Sequence, residues 1–135
     1  MRPIEFRAWD ETEKRWLNID EFFIFYDGTI FLVKWLDDSV YDDAVTLDRA
    51  GEDIKLEQYT GLRDKNGNKI FEGDICWNEP NELYGLVFYD EKTTKVKFRF
   101  SDEMRSSDLY EWSDEVEIRG NIHDNLELLE GGAAE

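Results

Sequence analysis

Two dipeptides, Asp27-Gly28 and Asn66-Gly67, each stand between runs of β-branched and aromatic residues. This is the strongest short-range hairpin signal, because a type I′ turn needs φ > 0 at both central positions and Asp-Gly and Asn-Gly adopt that geometry readily. A chain punctuated in this way is committed to antiparallel strands. The first hairpin, "FFIFYDGTIFLVKW", has arms that are almost continuously apolar, so at least one arm is expected to be covered on both faces or to pair in an interface. The second reverses the chain between "GLRD" and "KIFEGDI".

Shorter period-2 segments extend the pattern. Ile4, Phe6 and Ala8 alternate with Glu5 and Arg7, and Trp16 to Ile19 read as the return strand. Leu83 to Asp90 and Lys95 to Phe100 form a further hairpin around "EKTT", with Val96, Phe98 and Phe100 on one face and Lys95, Lys97 and Arg99 on the other. "VEIRGNI" is a last strand, "NLELLE" a short helical turn, and residues 131–135 a disordered tail. "SDEMRSSDLYEWSDE" reads as loop or helical turn. Between Leu36 and Glu57 the pattern weakens: a short helix at about 43–50 stopped by Gly51, or a polar loop leading into a strand at Ile54 to Tyr59, are both allowed. The expected fold is mainly β, α+β at the margin: short antiparallel strands in a small barrel or sandwich with one or two short helices. Residues 1–130 are expected to form one compact β-rich domain, divisible into an N-terminal portion over residues 1–57 and a barrel-like portion over residues 58–130.

Composition limits function. A chain of 135 residues can bury roughly 65–70% of its surface on folding, and an aromatic content of 15% supplies a core in spite of 36% charged residues. Cys76 is the single cysteine, which excludes an intrachain disulfide. No window approaches the ~20 apolar residues of a membrane helix, and the N-terminus lacks an apolar signal region, so a soluble, non-exported protein of the cytosol without membrane contact is expected. The net charge of −17 opposes binding to phosphate backbones and disfavours nucleic acid as a partner. It serves solubility, or it docks on a basic partner; it is dense from residue 101 to residue 135, where eleven Asp and Glu face two Arg.

Candidate chemistry is thin. One His and one Cys cannot build a zinc site within a chain, and "DKNGN" lacks the spacing and terminal Glu of a calcium loop. His123 is a potential general base and Asp124 its orienting acid, but neighbours in a loop seldom face each other, so His123 is read as a surface histidine without a role. Cys76, beside Trp77 in a β-run, is read as a core residue. Nucleophile elbows, phosphate loops and dinucleotide fingerprints are missing. The chain is therefore expected to be neither an enzyme nor a cofactor or metal protein. Lys92, Lys95, Lys97 and Arg99 with Phe88, Tyr89, Phe98 and Phe100 nearby could form a platform for single strands. The competing reading puts Phe98 and Phe100 in the core and pairs the cations with acids across the sheet.

Three blocks, "EFRAWDE", "QYTGLRDKNGNKIFEGDI" and "EIRGNIHDNLELL", resemble in content and order the YopX family of bacteriophage and prophage proteins. The likeness falls on Phe6 to Asp10, Gln58 to Ile75 and Gly120 to Leu129. Phe71, Cys76 and Leu126 replace the tyrosine, valine and proline common in the family. The resemblance implies a small, mainly β, phage-encoded protein expressed in a bacterial cytoplasm, without assigned activity, and it carries no catalytic residues. The signature residues Tyr59, Gly61, Asp64, Asn66, Gly67, Glu72, Gly73, Asp74, Gly120 and Asn121 are the inventory of a fold. Asn66-Gly67 reverses the chain, Gly61 and Gly73 add bends, and Glu72 and Asp74 are expected to bond backbone groups. The expected activity is binding of an unidentified host or phage macromolecule. An acidic mimic of nucleic acid that blocks a host protein is the alternative, and a homo-oligomer through "FFIFY" and "IFLVKW" is open.

Overall fold

The computed structural model describes residues 4–35, 45–100 and 106–130; the expected tail at 131–135 lies outside them. Among the described residues strand is the dominant state, with two short α-helices, and one of the antiparallel sheets curls into a half-barrel. The mainly β expectation therefore holds. The chain divides into two compact units, one built from residues 1–6 and 57–135 and the other from residues 7–56. The division falls inside two strands, β1 (Phe6–Asp10) and β6 (Ile54–Arg63).

In the unit of residues 7–56, β1 pairs antiparallel with β2 (Arg15–Trp16), setting Trp9 opposite Trp16. The two indoles meet edge to face at 5.1 Å, and the Arg7 guanidinium covers Trp16 at 4.3 Å. A three-stranded meander follows: β3 (Phe22–Ile24), β4 (Ile30–Trp35) and β5 (Val45–Arg49). The helix considered at about 43–50 is not found over the described residues 45–49, which pair instead with β4, Leu47 opposite Val33 and Arg49 opposite Phe31. Val and Thr are β-branched residue types that favour strands, and sheet pairing outweighs the weak helical pattern. Phe23 stacks on Phe31 at 5.2 Å and Phe25 touches Tyr26 at 4.7 Å, yet Phe23, Phe25 and Tyr26 are exposed.

The other unit holds the main core. β8 (Asp74–Asn78), β9 (Leu83–Asp90), β10 (Lys95–Phe100) and β11 (Ser106–Asp108) run as a meander, and β12 (Val116–Asn121) returns beside β8. Ile70, Cys76, Val87, Phe98, Leu109 and Val116 form the buried cluster, with Leu62, Val96, Trp112 and Ile118 against it. Phe98 lies over Gly85, where a Cβ would stand 2.3 Å from the ring. Helix α1 (Leu109–Trp112) contributes Leu109 to the core, and α2 (Glu127–Glu130) ends the described chain.

Both glycine turns differ from expectation in type. Gly28 (φ 92°) and Gly67 (φ 84°) are left-handed, whereas Asp27 and Asn66 are not, so neither turn is type I′. Each is instead a three-residue loop in which a turn of the type I kind is followed by a left-handed glycine: Gly28 N–H donates to the Phe25 carbonyl and Phe25 N–H to that of Thr29, and Gly67 N–H donates to Asp64 and Asp64 N–H to Asn68. One positive φ suffices, and a preceding aspartate ties the loop by accepting backbone N–H groups.

Two outcomes test these arguments. A Gly67→Val protein should lose about 1–3 kcal/mol in urea unfolding, because a β-branched residue is strained at this φ; an unchanged midpoint would refute the left-handed assignment. Glu21 accepts both Arg15 guanidinium nitrogens (2.5 and 3.0 Å) and the Asn18 N–H, which holds its carboxyl down at about 2. A depressed folded pKa contributes stability above the unfolded value of 4.5 that disappears as pH falls toward about 2. The urea midpoints of the parent and Glu21→Gln proteins should therefore differ at pH 6 and converge near pH 2.

Candidate functional site

The signature residues of the middle block form a connected set of backbone anchors in the unit of residues 1–6 and 57–135. Asp64, 5% exposed, accepts the N–H groups of Asn66 and Asn68 on Oδ1 (both 2.9 Å) and that of Ile118 on Oδ2 (3.0 Å). Lys65 N–H donates to the Val116 carbonyl at 3.0 Å, so the glycine turn is fastened to β12 by its first two residues. Gly61 (φ 89°) sits at the irregularity where β6 and β7 (Lys69–Phe71) change register between Tyr59 and Arg63. The buried Tyr59 ring packs on Phe71 at 5.6 Å. Asp74, 2% exposed, accepts the Phe71 N–H at 2.8 Å and closes a tight turn with Glu72 and Gly73 at its apex.

That turn meets the last block. Gly73 donates its N–H to the Val87 carbonyl and accepts the Ile122 N–H at 2.8 Å. Gly120 marks the register shift of β12 against β8, and a Cβ there would stand 2.4 Å from Asn125 Oδ1. Asn121 Oδ1 accepts the N–H groups of His123 (2.9 Å) and Asp124 (3.0 Å), bending the chain after β12. The bend carries His123 inward.

His123 Nε2 lies 2.8 Å from Glu57 Oε2, and the two side chains are only 12% and 11% exposed. This corrects the surface-histidine reading: the acid that faces the ring is Glu57, 66 positions away, while Asp124 Oδ2 accepts from Asn121 Nδ2 instead. Nothing in the sequence singles out Glu57. Gly73 provides the room for its carboxylate, since a Cβ at Gly73 would stand 2.3 Å from Glu57 Oε2. Glu57 also lines a cleft of ≈ 410 Å³ with Glu72, Phe88, Tyr89, Glu91 and Ile122. The contact with His123 Nε2 holds that carboxylate in place.

Other candidates resolve differently. Cys76 is fully buried, and burial, followed by the charges of Asp74 and Asp64, pushes its thiol well up, the reverse of an activated nucleophile. Among the described residues no three His, Cys, Asp or Glu side chains are grouped to hold a metal ion. The β10 cations are paired: Lys95 with Asp108 of β11 at 3.1 Å, and Lys97 with Asp90 of β9 at 3.4 Å. Arg99 lies over the Phe88 ring at 4.7 Å, and Phe98 is core.

The YopX protein family model matches residues 5–130. The chain belongs to the YopX family. Protein EF1440 from Enterococcus faecalis has a similar crystal structure at 25% identity and a TM-score of 0.60, with 96% of this chain and 99% of that one covered. Protein yopX from Bacillus subtilis is similar in fold, at 16% identity and a TM-score of 0.59 over 95% and 98% of the two chains. No curated protein matches. Within the YopX signature, Gly73 abuts the Glu57 carboxylate and Asn121 accepts the His123 N–H, whereas Glu57 itself lies just before the middle block and His123 within the last.

A Gly73→Ala protein is expected to lose about 2 kcal/mol or more in urea unfolding, from the φ of 92° and the displaced Glu57 carboxylate together. Glu57→Ala in the same background should recover some of the loss by vacating the space. Absence of any recovery would mean that backbone strain alone is at work.

Proposed function

We propose that this YopX-family chain is a non-enzymatic accessory protein of phage or prophage origin that acts in the bacterial cytoplasm by binding a partner with a basic surface. One observation carries the reading: on β10, where the sequence concentrates its cations, Lys95 and Lys97 are spent on internal acids and Arg99 on an aromatic ring. Lys14, Arg15, Lys69 and Arg119 are likewise paired with Glu11, Glu21, Glu5 and Glu117. Sixteen basic residues against thirty-three acidic ones leave an acid excess, and the acids beside these cations make them less available to a phosphate backbone. Support for a non-enzymatic role comes from the inert, buried Cys76 and from His123, whose Nε2 is engaged with Glu57.

An acidic mimic that occupies the nucleic-acid groove of a host protein is the sharper form of the same idea, and it is favoured over single-strand binding by the pairing on β10. The exposed Phe23, Phe25 and Tyr26 are in keeping with an apolar contribution to the interface, or with self-association.

Affinity purification from a bacterial host at about 0.1 M salt should recover a basic protein that is released at about 1 M, where the Debye length falls from about 10 Å to about 3 Å. Labelled single-stranded DNA should show no anisotropy change at micromolar protein in low salt. Retention of the partner at high salt, tight binding of the single strand, or turnover of a defined substrate without a partner would each overturn the reading.

A further inference from the structure

We infer that Asn66 is a site of spontaneous deamidation, that the folded loop guards it, and that the product unfastens this loop from β12. Asn66 is the only asparagine of the chain followed by glycine, and both residues are exposed. Glycine has no Cβ to hinder its backbone nitrogen, so Gly67 N can reach the side-chain carbonyl carbon of Asn66 once the loop opens. That nitrogen gives its proton to base in solution and attacks the carbon. The new C–N bond closes a five-membered succinimide, and Nδ2 departs as ammonia. Water then adds to either ring carbonyl and leaves an aspartate or an isoaspartate. The sum is amide plus water giving carboxylic acid plus ammonia, with no change of oxidation state and no cofactor.

In the folded loop both reacting groups are held. The Gly67 N–H donates to the Asp64 carbonyl at 3.0 Å, and Asn66 Nδ2 donates to Glu117 Oε1 of β12 at 3.2 Å. The bonds from Asn66 N–H to Asp64 Oδ1 (2.9 Å) and from Arg63 Nη1 to the Gly67 carbonyl (2.8 Å) fix the backbone on either side of the pair. Reaction must therefore wait for local opening, and its rate reports that opening. The Asp27-Gly28 loop has the same backbone bonds, but its side chain is a carboxylate kept ionised by the Thr29 N–H, a far poorer electrophile than an amide.

The product alters the joint. An acid at position 66 has no proton to donate to Glu117, whose own carboxyl is held low chiefly by the Arg119 guanidinium and stands opposite as a second negative charge. An isoaspartate also adds a methylene to the main chain, which puts the Gly67 N–H out of step with the Asp64 carbonyl.

The test incubates the full chain in mildly alkaline buffer, with and without denaturing guanidinium chloride, and follows its peptides by mass spectrometry. Conversion is expected at Asn66 ahead of every other asparagine, into two products separable by chromatography. It should run at least about tenfold slower in the folded chain, the factor that an opening cost of about 1.4 kcal/mol gives. Glu117→Ala should speed the folded reaction roughly two- to tenfold, as loss of one hydrogen bond does, and leave the unfolded rate unchanged. Asn66→Asp should lower the urea midpoint, and Glu117→Gln in that background should recover part of the loss. Equal rates in folded and unfolded chains, faster conversion at another asparagine, a folded rate untouched by Glu117→Ala, or an unchanged midpoint for Asn66→Asp would each overturn the inference.

Discussion

The Asp64 carboxylate holds the signature together. Buried polar groups are expensive unless hydrogen bonded, and this one is met by three backbone N–H donors, two from its own turn and one from Ile118. The same bonds fix the glycine turn and dock it on β12. Everything C-terminal of that contact follows: β12 lies along β8, Gly120 shifts the register, Asn121 bends the chain, and His123 reaches Glu57. A carboxylate that looks from sequence like turn decoration is therefore the joint between the middle and last blocks of the chain.

How much of this can be read beforehand depends on the range of the interaction. Strands with period-2 alternation or β-branched runs, such as 83–90 and 95–100, are legible because side-chain alternation is local. Turn positions are legible too, but turn type is not: Asp-Gly and Asn-Gly fit both a type I′ turn and a three-residue loop, and the choice rests on bonds to Thr29 and Asn68 outside the dipeptide. Residues 45–49 become a strand because β4 offers a pairing edge, which no local window displays. Glu57 is invisible for the same reason. Its partner is 66 positions distant and its space is set by an absent Cβ, so only the assembled structure brings the three together.

Membership of the YopX family accounts for the signature without assigning an activity, and the geometry explains the division. The shared glycines, aspartates and asparagines set φ values and satisfy backbone donors. The groups with chemical character are placed by that frame: Glu57 and His123 against each other, Cys76 in the core, and the β10 cations on neighbouring acids. A common fold can in this way carry different surfaces, since function lies in the groups grafted onto it.

The exposed rings at the β3–β4 turn give the excess of negative charge a task of its own. Phe25 and Tyr26 stand at the tip of a hairpin and leave water-facing apolar surface that would draw copies of the chain together. Asp27 sits beside them, its carboxyl held low by the Thr29 N–H, and it remains ionised where the rings are most open. With a whole-chain charge of −17 behind it, self-repulsion opposes the approach of like copies to these rings. The same charge that suits a basic partner thus works against contact between the apolar tips of like copies.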